Sequence, residues 1–146
     1  MKRELREVIT KPFRDGHADI FDCRPEDLQQ FRNMLPMLSA LGQQDRCGSQ
    51  IVEGRIIYIG GWYDVSPGVA EMFIYPSIYT KEYIREYLTD AKWWVQDLKS
   101  KYHRVQCWGD DTEVSKRWLS HLGFRYEGEL RSYTMDGRSM LIWGLV

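Results

Sequence analysis

The chain has 146 residues and a mass of 17.4 kDa, a size that favours one domain and excludes two independent cores. Hydrophobic residues make up 43% of the chain and charged residues 28%, which excludes a disordered or low-complexity protein. With 20 basic and 21 acidic side chains the formal charge is -1, so duplex nucleic acid is not an expected partner.

No apolar run reaches the roughly 18 residues of a membrane-spanning helix, and the first seven residues lack the apolar stretch of a signal peptide. We therefore expect a cytoplasmic protein that does not engage a membrane. The three cysteines are widely spaced and include no Cys-x-x-Cys pair. Free or buried thiols are expected at Cys23, Cys47 and Cys107, with no metal site.

The first third of the chain predicts a strand followed by helix. Apolar alternation predicts a strand at Leu5–Thr10, which Pro12 and Asp15-Gly16 interrupt. Proline and two acids near position 25 mark a helix start, and the helix is expected to end near Gly42. Pro36 within it implies a kink or two separate helices.

Three apolar runs in close succession then predict an antiparallel meander. The runs are Ile51-Val52, Arg55–Tyr63 and Val69–Tyr75. They are separated by Glu53-Gly54 and by the segment 64–68, both of which have the residue types of hairpin turns.

The strongest helix pattern covers Lys81–Tyr102, with Thr80 as the expected N-cap. A short strand is expected at Arg104–Trp108, followed by a helix over Asp110–Leu122 that Gly123 terminates.

The chain ends in two predicted strands, Phe124–Tyr133 and Arg138–Leu145, which flank the hairpin signal Met135-Asp136-Gly137. This mixture of helices and strands without an internal repeat indicates an α/β fold, an α+β arrangement around one mixed sheet.

The C-terminal third carries the most specific pattern. It reads Leu-Ser-His-Leu-Gly-Phe at 119–124, then Arg-Tyr-Glu-Gly-Glu-Leu-Arg at 125–131, then Tyr133 and Asp136-Gly137. With the order of elements over nearly the whole length, it resembles the GNAT superfamily of acyl-CoA-dependent N-acyltransferases. The resemblance implies a single domain over 1–146, with a mostly antiparallel central sheet of about seven strands flanked by about four helices.

The resemblance also implies acetyl-CoA as cofactor. In the family, the cofactor pairs with the fourth strand, which corresponds here to Met72, Phe73, Ile74 and Tyr75. The pyrophosphate binds the loop that follows, where the expected contacts are Ser77, Tyr79, Thr80 and Lys81. Members usually carry two or more glycines in this loop, and this chain has none.

The resemblance places a general base at Glu71, with Asp64 as the alternative. Many members protonate the leaving thiolate with a tyrosine, whose position here is occupied by Leu119. That role passes to Tyr126, to Tyr133, to water or to nothing.

Aromatic residues are abundant, and two of them lie near a predicted turn. Trp62 and Tyr63 are candidates for lining a substrate groove or a partner surface, and Trp108 is a further groove candidate. The tryptophans on apolar faces are expected mostly in the core: Trp93, Trp94, Trp108, Trp118 and Trp143.

Among GNAT-like proteins, the chain resembles a phage group through Gly60-Gly61, the glycine-poor loop and Trp118-Leu119. This narrower resemblance implies a location in the host cytoplasm or the virion. Two functions stay open beside CoA binding without transfer. One is acetyl transfer to a primary amine of a protein or small molecule. The other is an inactive interaction protein that binds a polypeptide partner, and a homodimer is possible in either case.

Overall fold

The computed structural model describes residues 4–146, in which seven strands form one sheet in the order β1-β2-β3-β4-β5-β7-β6. The strands are β1 (Ile9–Pro12), β2 (Cys47–Val52), β3 (Arg55–Ser66), β4 (Val69–Pro76), β5 (Arg104–Asp110), β6 (Arg125–Leu130) and β7 (Met140–Leu145). The α-helices are α1 (Asp15–Ile20), α2 (Leu28–Gln43), α3 (Ile84–Lys101) and α4 (Glu113–His121). This mixed sheet with its helices confirms the predicted α/β fold class.

The chain packs as two compact units. The first contains the chain through Tyr63 together with Phe73–Asp90, and the second contains Asp64–Met72 together with Ala91–Val146.

In the first unit, β2 pairs antiparallel with both β1 and β3. Its hairpin to β3 turns at Glu53 and Gly54, whose φ angles of 51° and 79° fit the expected two-residue turn. Apolar side chains from the residues that flank α1, from α2 and from the strands share one core. Its buried members are Phe13, Phe21, Phe31, Leu38, Leu41, Cys47, Ile56, Ile59 and Tyr75.

In the second unit, β4 and β5 are parallel, with Val69–Glu71 in register with Arg104–Gln106. Strand β7 pairs antiparallel with β5 on one side and β6 on the other. Helix α4 contacts β5 and β6. It ends as predicted, since Gly123 adopts a φ of +103° just beyond its C-cap.

Helix α3 begins at Ile84, three residues later than expected, and Thr80 is not its N-cap. The Thr80 hydroxyl instead donates to the carbonyl oxygens of Ile57 at 3.1 Å and Ser77 at 2.9 Å. Thr80 is buried, so its hydroxyl satisfies buried backbone acceptors rather than the start of a helix.

Several other boundaries differ from the sequence prediction. Strand β1 starts at Ile9 and includes Pro12, as an edge strand permits. Helix α1 begins at Asp15, where a break was expected. Helix α2 runs through Pro36 as one element. Strand β6 ends at Leu130, which places Tyr133 in the connection to β7.

All three cysteines are free thiols, as expected. Burial raises the pKa of the Cys23 and Cys47 thiols to about 12. Burial also raises the pKa of Cys107, and the negative charge of Glu71 adds to that effect. These thiols therefore stay protonated near neutral pH. Over residues 4–146, none of the helices is long and apolar enough to span a membrane.

Candidate functional site

Strands β4 and β5 position a carboxylate in the second unit. Glu71 lies directly beside Gln106 in the parallel register. Its Oε1 atom accepts a hydrogen bond from Gln106 Nε2 at 2.9 Å and another from Trp108 Nε1 at 3.0 Å. Gln106 and Trp108 are two residues apart on β5 and therefore point to the same face. Two donors on one oxygen fix the orientation of this carboxylate.

Tyr133 adds an aromatic wall to the same cluster. Its ring stacks on Trp108, with centroids 5.5 Å apart and planes 10° from parallel. The connection that carries it is held by its own backbone, since the Tyr133 N–H donates to the Arg138 carbonyl at 2.9 Å. Tyr133 is nonetheless 55% exposed, so its ring is fixed by stacking while remaining accessible to a ligand.

An ion pair lies at the other end of the β5 row. Arg104 donates to both oxygens of Glu127, at 2.8 and 2.5 Å, and through Nε to Gln106 Oε1 at 2.9 Å. The hydrogen bond from Arg104 is the main reason that the pKa of Glu127 lies below its ordinary value. Glu127 therefore remains ionised to lower pH than a solvated glutamate.

The other two catalytic candidates have different partners. The carboxylate of Asp64 accepts a hydrogen bond from the Tyr102 hydroxyl at 2.6 Å. The Tyr126 ring packs edge-on against Trp143, with centroids 5.7 Å apart, and Tyr126 is 55% exposed. The cluster thus brings together Glu71, Trp108 and Tyr133, three residues selected from the sequence.

The strand expected to pair with acetyl-CoA has two buried and two half-buried residues. Met72 and Tyr75 are buried, whereas Phe73 and Ile74 are half-buried. Tyr75 belongs to the core of the first unit, where its ring lies 5.4 Å from that of Phe31. Burial therefore commits the Met72 and Tyr75 side chains to packing, and a ligand would meet this strand through its backbone.

The segment from Ser77 to Tyr83 is held by hydrogen bonds within the first unit. The Ser77 N–H donates to Ile57 and the Ile78 N–H to Asp22, both at 2.9 Å. The N–H groups of residues 79, 80, 82 and 83 donate to acceptors within the segment itself. The Ser77 hydroxyl accepts the bond from residue 79. These backbone donors are therefore already engaged in the protein.

Side chains also cover this segment. The Arg55 guanidinium lies 4.4 Å from the ring centroid of Tyr79, and that of Arg6 lies 4.3 Å from the ring of Tyr83. Lys81 and Arg85, by contrast, are exposed.

Lys81, Arg85 and the first turn of α3 are the groups in this region that could hold a pyrophosphate. The cations Lys81 and Arg85 flank the start of α3, an 18-residue helix that begins at Ile84. Helix N-termini present N–H groups without intrahelical acceptors, and the helix dipole favours an anion there. Glu82 opposes an anion, although it pairs with Arg55 at 3.6 Å.

The aromatic candidates separate into different environments. Tyr63 packs against the core of the first unit, with its ring 6.4 Å from that of Phe73. Trp62 is half-buried. Trp93 is 57% exposed, so its expected place in the core is wrong, whereas Trp143 is buried as expected. Trp93 lies on the side of α3 opposite the buried residues Ala91, Val95 and Leu98, so the helical period itself places it outside the core.

Sequence reasoning missed Arg104 and Gln106. The alternation of β5 was the available signal, because it places both residues on the same face as Trp108. Their partners, Glu71 and Glu127, lie on different strands, so the connection depends on strand register.

No protein-family model and no curated protein matches the sequence. The structure is similar to a GCN5-related N-acetyltransferase from Brucella melitensis, with a TM-score of 0.69, 17% identity, and coverage of 100% of this chain and 80% of that chain. It is similar to yncA from Salmonella typhimurium, solved with its cofactor acetyl-CoA, with a TM-score of 0.67, 13% identity and coverage of 94% and 92%.

A third similar structure is a ribosomal-protein-alanine N-acetyltransferase from Brucella melitensis, with a TM-score of 0.66 and 11% identity over 94% of this chain and 99% of that chain. Structural similarity at identities this low establishes the fold alone, so any chemistry must be argued from the residues of this chain. The chain has the fold of the GNAT acetyltransferases.

Proposed function

We propose that the protein transfers an acetyl group from acetyl-CoA to a primary amine of a protein or small molecule, with Glu71 as general base. The observation that carries this proposal is the Glu71 carboxylate, held by Gln106 and Trp108 beside the exposed ring of Tyr133. The fold supports it, since a similar structure contains acetyl-CoA as its cofactor.

The chemistry requires a proton acceptor near the amine. A primary amine is mostly protonated at neutral pH and must lose a proton before its nitrogen can attack a carbonyl carbon. We assign Glu71 as the group that accepts this proton from the amine, directly or through one water. Gln106 and Trp108 keep its carboxylate oriented, which lowers the entropy cost of the transfer.

The cofactor, when bound, supplies the acetyl thioester. In this proposal, backbone groups of Met72–Tyr75 on β4 hold the extended chain of acetyl-CoA. Lys81 and the first turn of α3 hold its pyrophosphate. We assign Tyr133 as the donor that protonates the departing sulfur, because the leucine side chain at position 119 has no acidic proton. Stacking on Trp108 fixes the Tyr133 ring, whereas the Tyr126 ring packs on Trp143.

The first test is thermal unfolding with and without acetyl-CoA and CoA. A ligand that binds only the folded state stabilises it by about 2.7 kcal/mol at one hundred times Kd. For a domain of this size the melting temperature then rises by roughly 5 to 10 °C. Acetyl transfer to a panel of amines, followed by mass spectrometry, tests the reaction itself. No shift and no acetylated product at millimolar acetyl-CoA would reject the proposal.

The Ser77–Tyr83 segment favours a second candidate, a protein-binding GNAT fold without cofactor. Its engaged N–H groups and the absence of glycine oppose the backbone mode of phosphate binding. In this case the protein is a phage component of the virion or a binder of a host protein. Acetyl-CoA would then leave the melting temperature unchanged, and Trp62→Ala would weaken the complex with the partner.

A homodimer is proposed for either function. The sheet has β1 and β6 as its edge strands, which are available for pairing with a second copy, and sedimentation velocity tests this association.

A further inference from the structure

Side chains on one face of β5 form a continuous hydrogen-bonded row. Arg104 Nε donates to Gln106 Oε1 at 2.9 Å, and Gln106 Nε2 donates to Glu71 Oε1 at 2.9 Å. Trp108 closes the row with its own bond to the same carboxylate oxygen. A single amide therefore connects the guanidinium of Arg104 to the carboxylate of Glu71.

The chemistry of the two ends fixes the direction of that amide. A guanidinium only donates hydrogen bonds, and an ionised carboxylate only accepts them. Gln106 satisfies both neighbours in one orientation, with its oxygen toward Arg104 and its nitrogen toward Glu71. The flipped amide would oppose donor to donor and acceptor to acceptor. Arg104 and Glu71 thus select the same orientation of the Gln106 amide.

Arg104 is itself anchored on its other side. Its two terminal nitrogens bind both oxygens of Glu127, a paired geometry that restricts the guanidinium more than a single contact does. This ion pair passes over Gly144 of β7, where an added Cβ atom would lie 2.3 Å from Glu127 Oε2 and 2.7 Å from Arg104 Nη1. The bare backbone at Gly144 leaves the space that the pair occupies.

We propose that Arg104 and Gln106 are positioning residues for Glu71, with Glu127 and Gly144 completing the support. They hold the carboxylate in the orientation that receives a proton from the acceptor amine. The catalytic meaning of this arrangement rests on the proposed function. The orientation of the carboxylate does not depend on the proposed function, because it follows from contacts within the protein. The experiment therefore includes one measurement that requires no enzymatic activity.

The first readout is NMR of the full chain in the ligand-free state. Arg104→Met removes the donors while keeping an unbranched side chain, and Arg117→Met, on the exposed side of α4, is the matched control. We expect Arg104→Met to shift the side-chain amide resonances of Gln106, the indole N–H of Trp108 and the carboxyl carbon of Glu71. Arg117→Met should leave all three unchanged. Glu127→Gln, which keeps the shape of the glutamate, substitutes if Arg104→Met does not fold. Unchanged resonances in the folded variant would overturn the proposal.

The second readout is kinetic. Misorientation of a reacting group by about 1 Å costs roughly a hundredfold in rate. We therefore expect Arg104→Met to lower kcat by about tenfold to a hundredfold with a smaller change in the KM for the amine, and Arg104→Lys to recover part of the loss. Gln106→Glu places a second carboxylate beside Glu71, so the acid limb of the pH–rate profile should move to higher pH.

The two proposals fail in different ways. A wild-type protein without acetyl transfer, in which Arg104→Met still shifts the Glu71 and Trp108 resonances, rejects the acetyltransferase and retains the positioning row. An active wild-type protein whose kcat and pH profile are unaffected by Arg104→Met and Gln106→Glu rejects the positioning role and retains the enzyme.

Discussion

The indole nitrogen Nε1 of Trp108 lies 3.0 Å from Oε1 of Glu71 and donates a hydrogen bond to it, while the ring of Tyr133 stacks on the face of the same indole. A tryptophan in this position acts as a rigid donor, since its side chain has only two rotatable bonds and both are restrained. The pairing explains how an acidic residue near the start of β4 keeps one orientation while remaining only half-buried.

Glu71→Gln should reduce acetyl transfer by 10²- to 10⁴-fold, the range for loss of a general base. The amide oxygen can still accept from Trp108, so the variant should unfold near the wild-type temperature. Asp64→Asn is the matched control, because it removes the alternative carboxylate, which Tyr102 contacts. Steady-state rates with a reactive amine decide the matter. A greater loss in Asp64→Asn than in Glu71→Gln would transfer the role of base to Asp64.

Removing the Tyr133 hydroxyl distinguishes the stacking role of its ring from the proposed role of its hydroxyl as proton donor. Tyr133→Phe keeps the stack on Trp108, so we expect kcat to fall while the tryptophan emission of the folded protein stays the same. Tyr126→Phe, a change on the edge-on partner of Trp143, should leave kcat near the wild-type value. Equal rates for wild type and Tyr133→Phe would show that the departing sulfur takes its proton from water or from another group.

Two helical glycines should respond to alanine with opposite signs. A Cβ atom at Gly42 would lie 2.2 Å from the backbone oxygen of Phe13, whereas a Cβ at Gly16 meets nothing within 4 Å. Gly42→Ala should therefore lower the unfolding free energy by about 1 to 3 kcal/mol, the usual cost of overpacking. Gly16→Ala should raise it by about 0.5 to 1 kcal/mol through helix propensity. Urea titration measures both, and a neutral Gly42→Ala would contradict the close packing of α2 on Phe13.

His17 should make stability depend on pH. Burial, with Lys11 and Arg14 adding to it, holds the pKa of His17 below its ordinary value. Its Nδ1 atom faces the Arg14 N–H at 3.3 Å and the buried Ser49 hydroxyl at 2.9 Å. Because the unfolded chain binds this proton more readily, the contribution is full above the unfolded pKa of about 6.5 and is lost as pH falls toward the folded pKa.

The test of that dependence compares wild type with His17→Gln, whose amide oxygen can accept in place of the ring nitrogen. Urea unfolding at pH 7.5 and 5.5 should show a larger loss on acidification for the wild type. An equal loss in both proteins would assign the pH dependence to other groups.

Tyr63 and Trp93 should differ in their effect on stability. Tyr63 packs on the core of the first unit, so Tyr63→Ala should cost about 1 to 3 kcal/mol of unfolding free energy, less than a fully buried aromatic. Trp93 is 57% exposed, and Trp93→Ala should change stability by less than about 0.5 kcal/mol. Chemical denaturation compares the two directly. A negligible effect of Tyr63→Ala would instead favour its place on a groove or partner surface.

Local patterns in the sequence sufficed for the order and type of most elements. Apolar runs between turn residues predicted β3 and β4, the three-to-four spacing predicted α3, and Gly123 correctly marked the end of α4. These features depend on neighbours along the chain, where period and backbone freedom act directly. Boundaries failed where a distant group competed, as at Thr80, whose hydroxyl bonds to the Ile57 carbonyl instead of capping α3.

The candidate site divides in the same way. Glu71, Trp108 and Tyr133 were selected from the sequence by resemblance and residue type. Only the parallel register of β4 with β5 showed that Gln106 lies beside Glu71. Only the pairing of β6 with β7, and of β7 with β5, brought Glu127 to Arg104. A sequence determines which face of its own strand a side chain occupies. Which side chains meet across strands is decided by register, and register is set by the packing of the whole sheet.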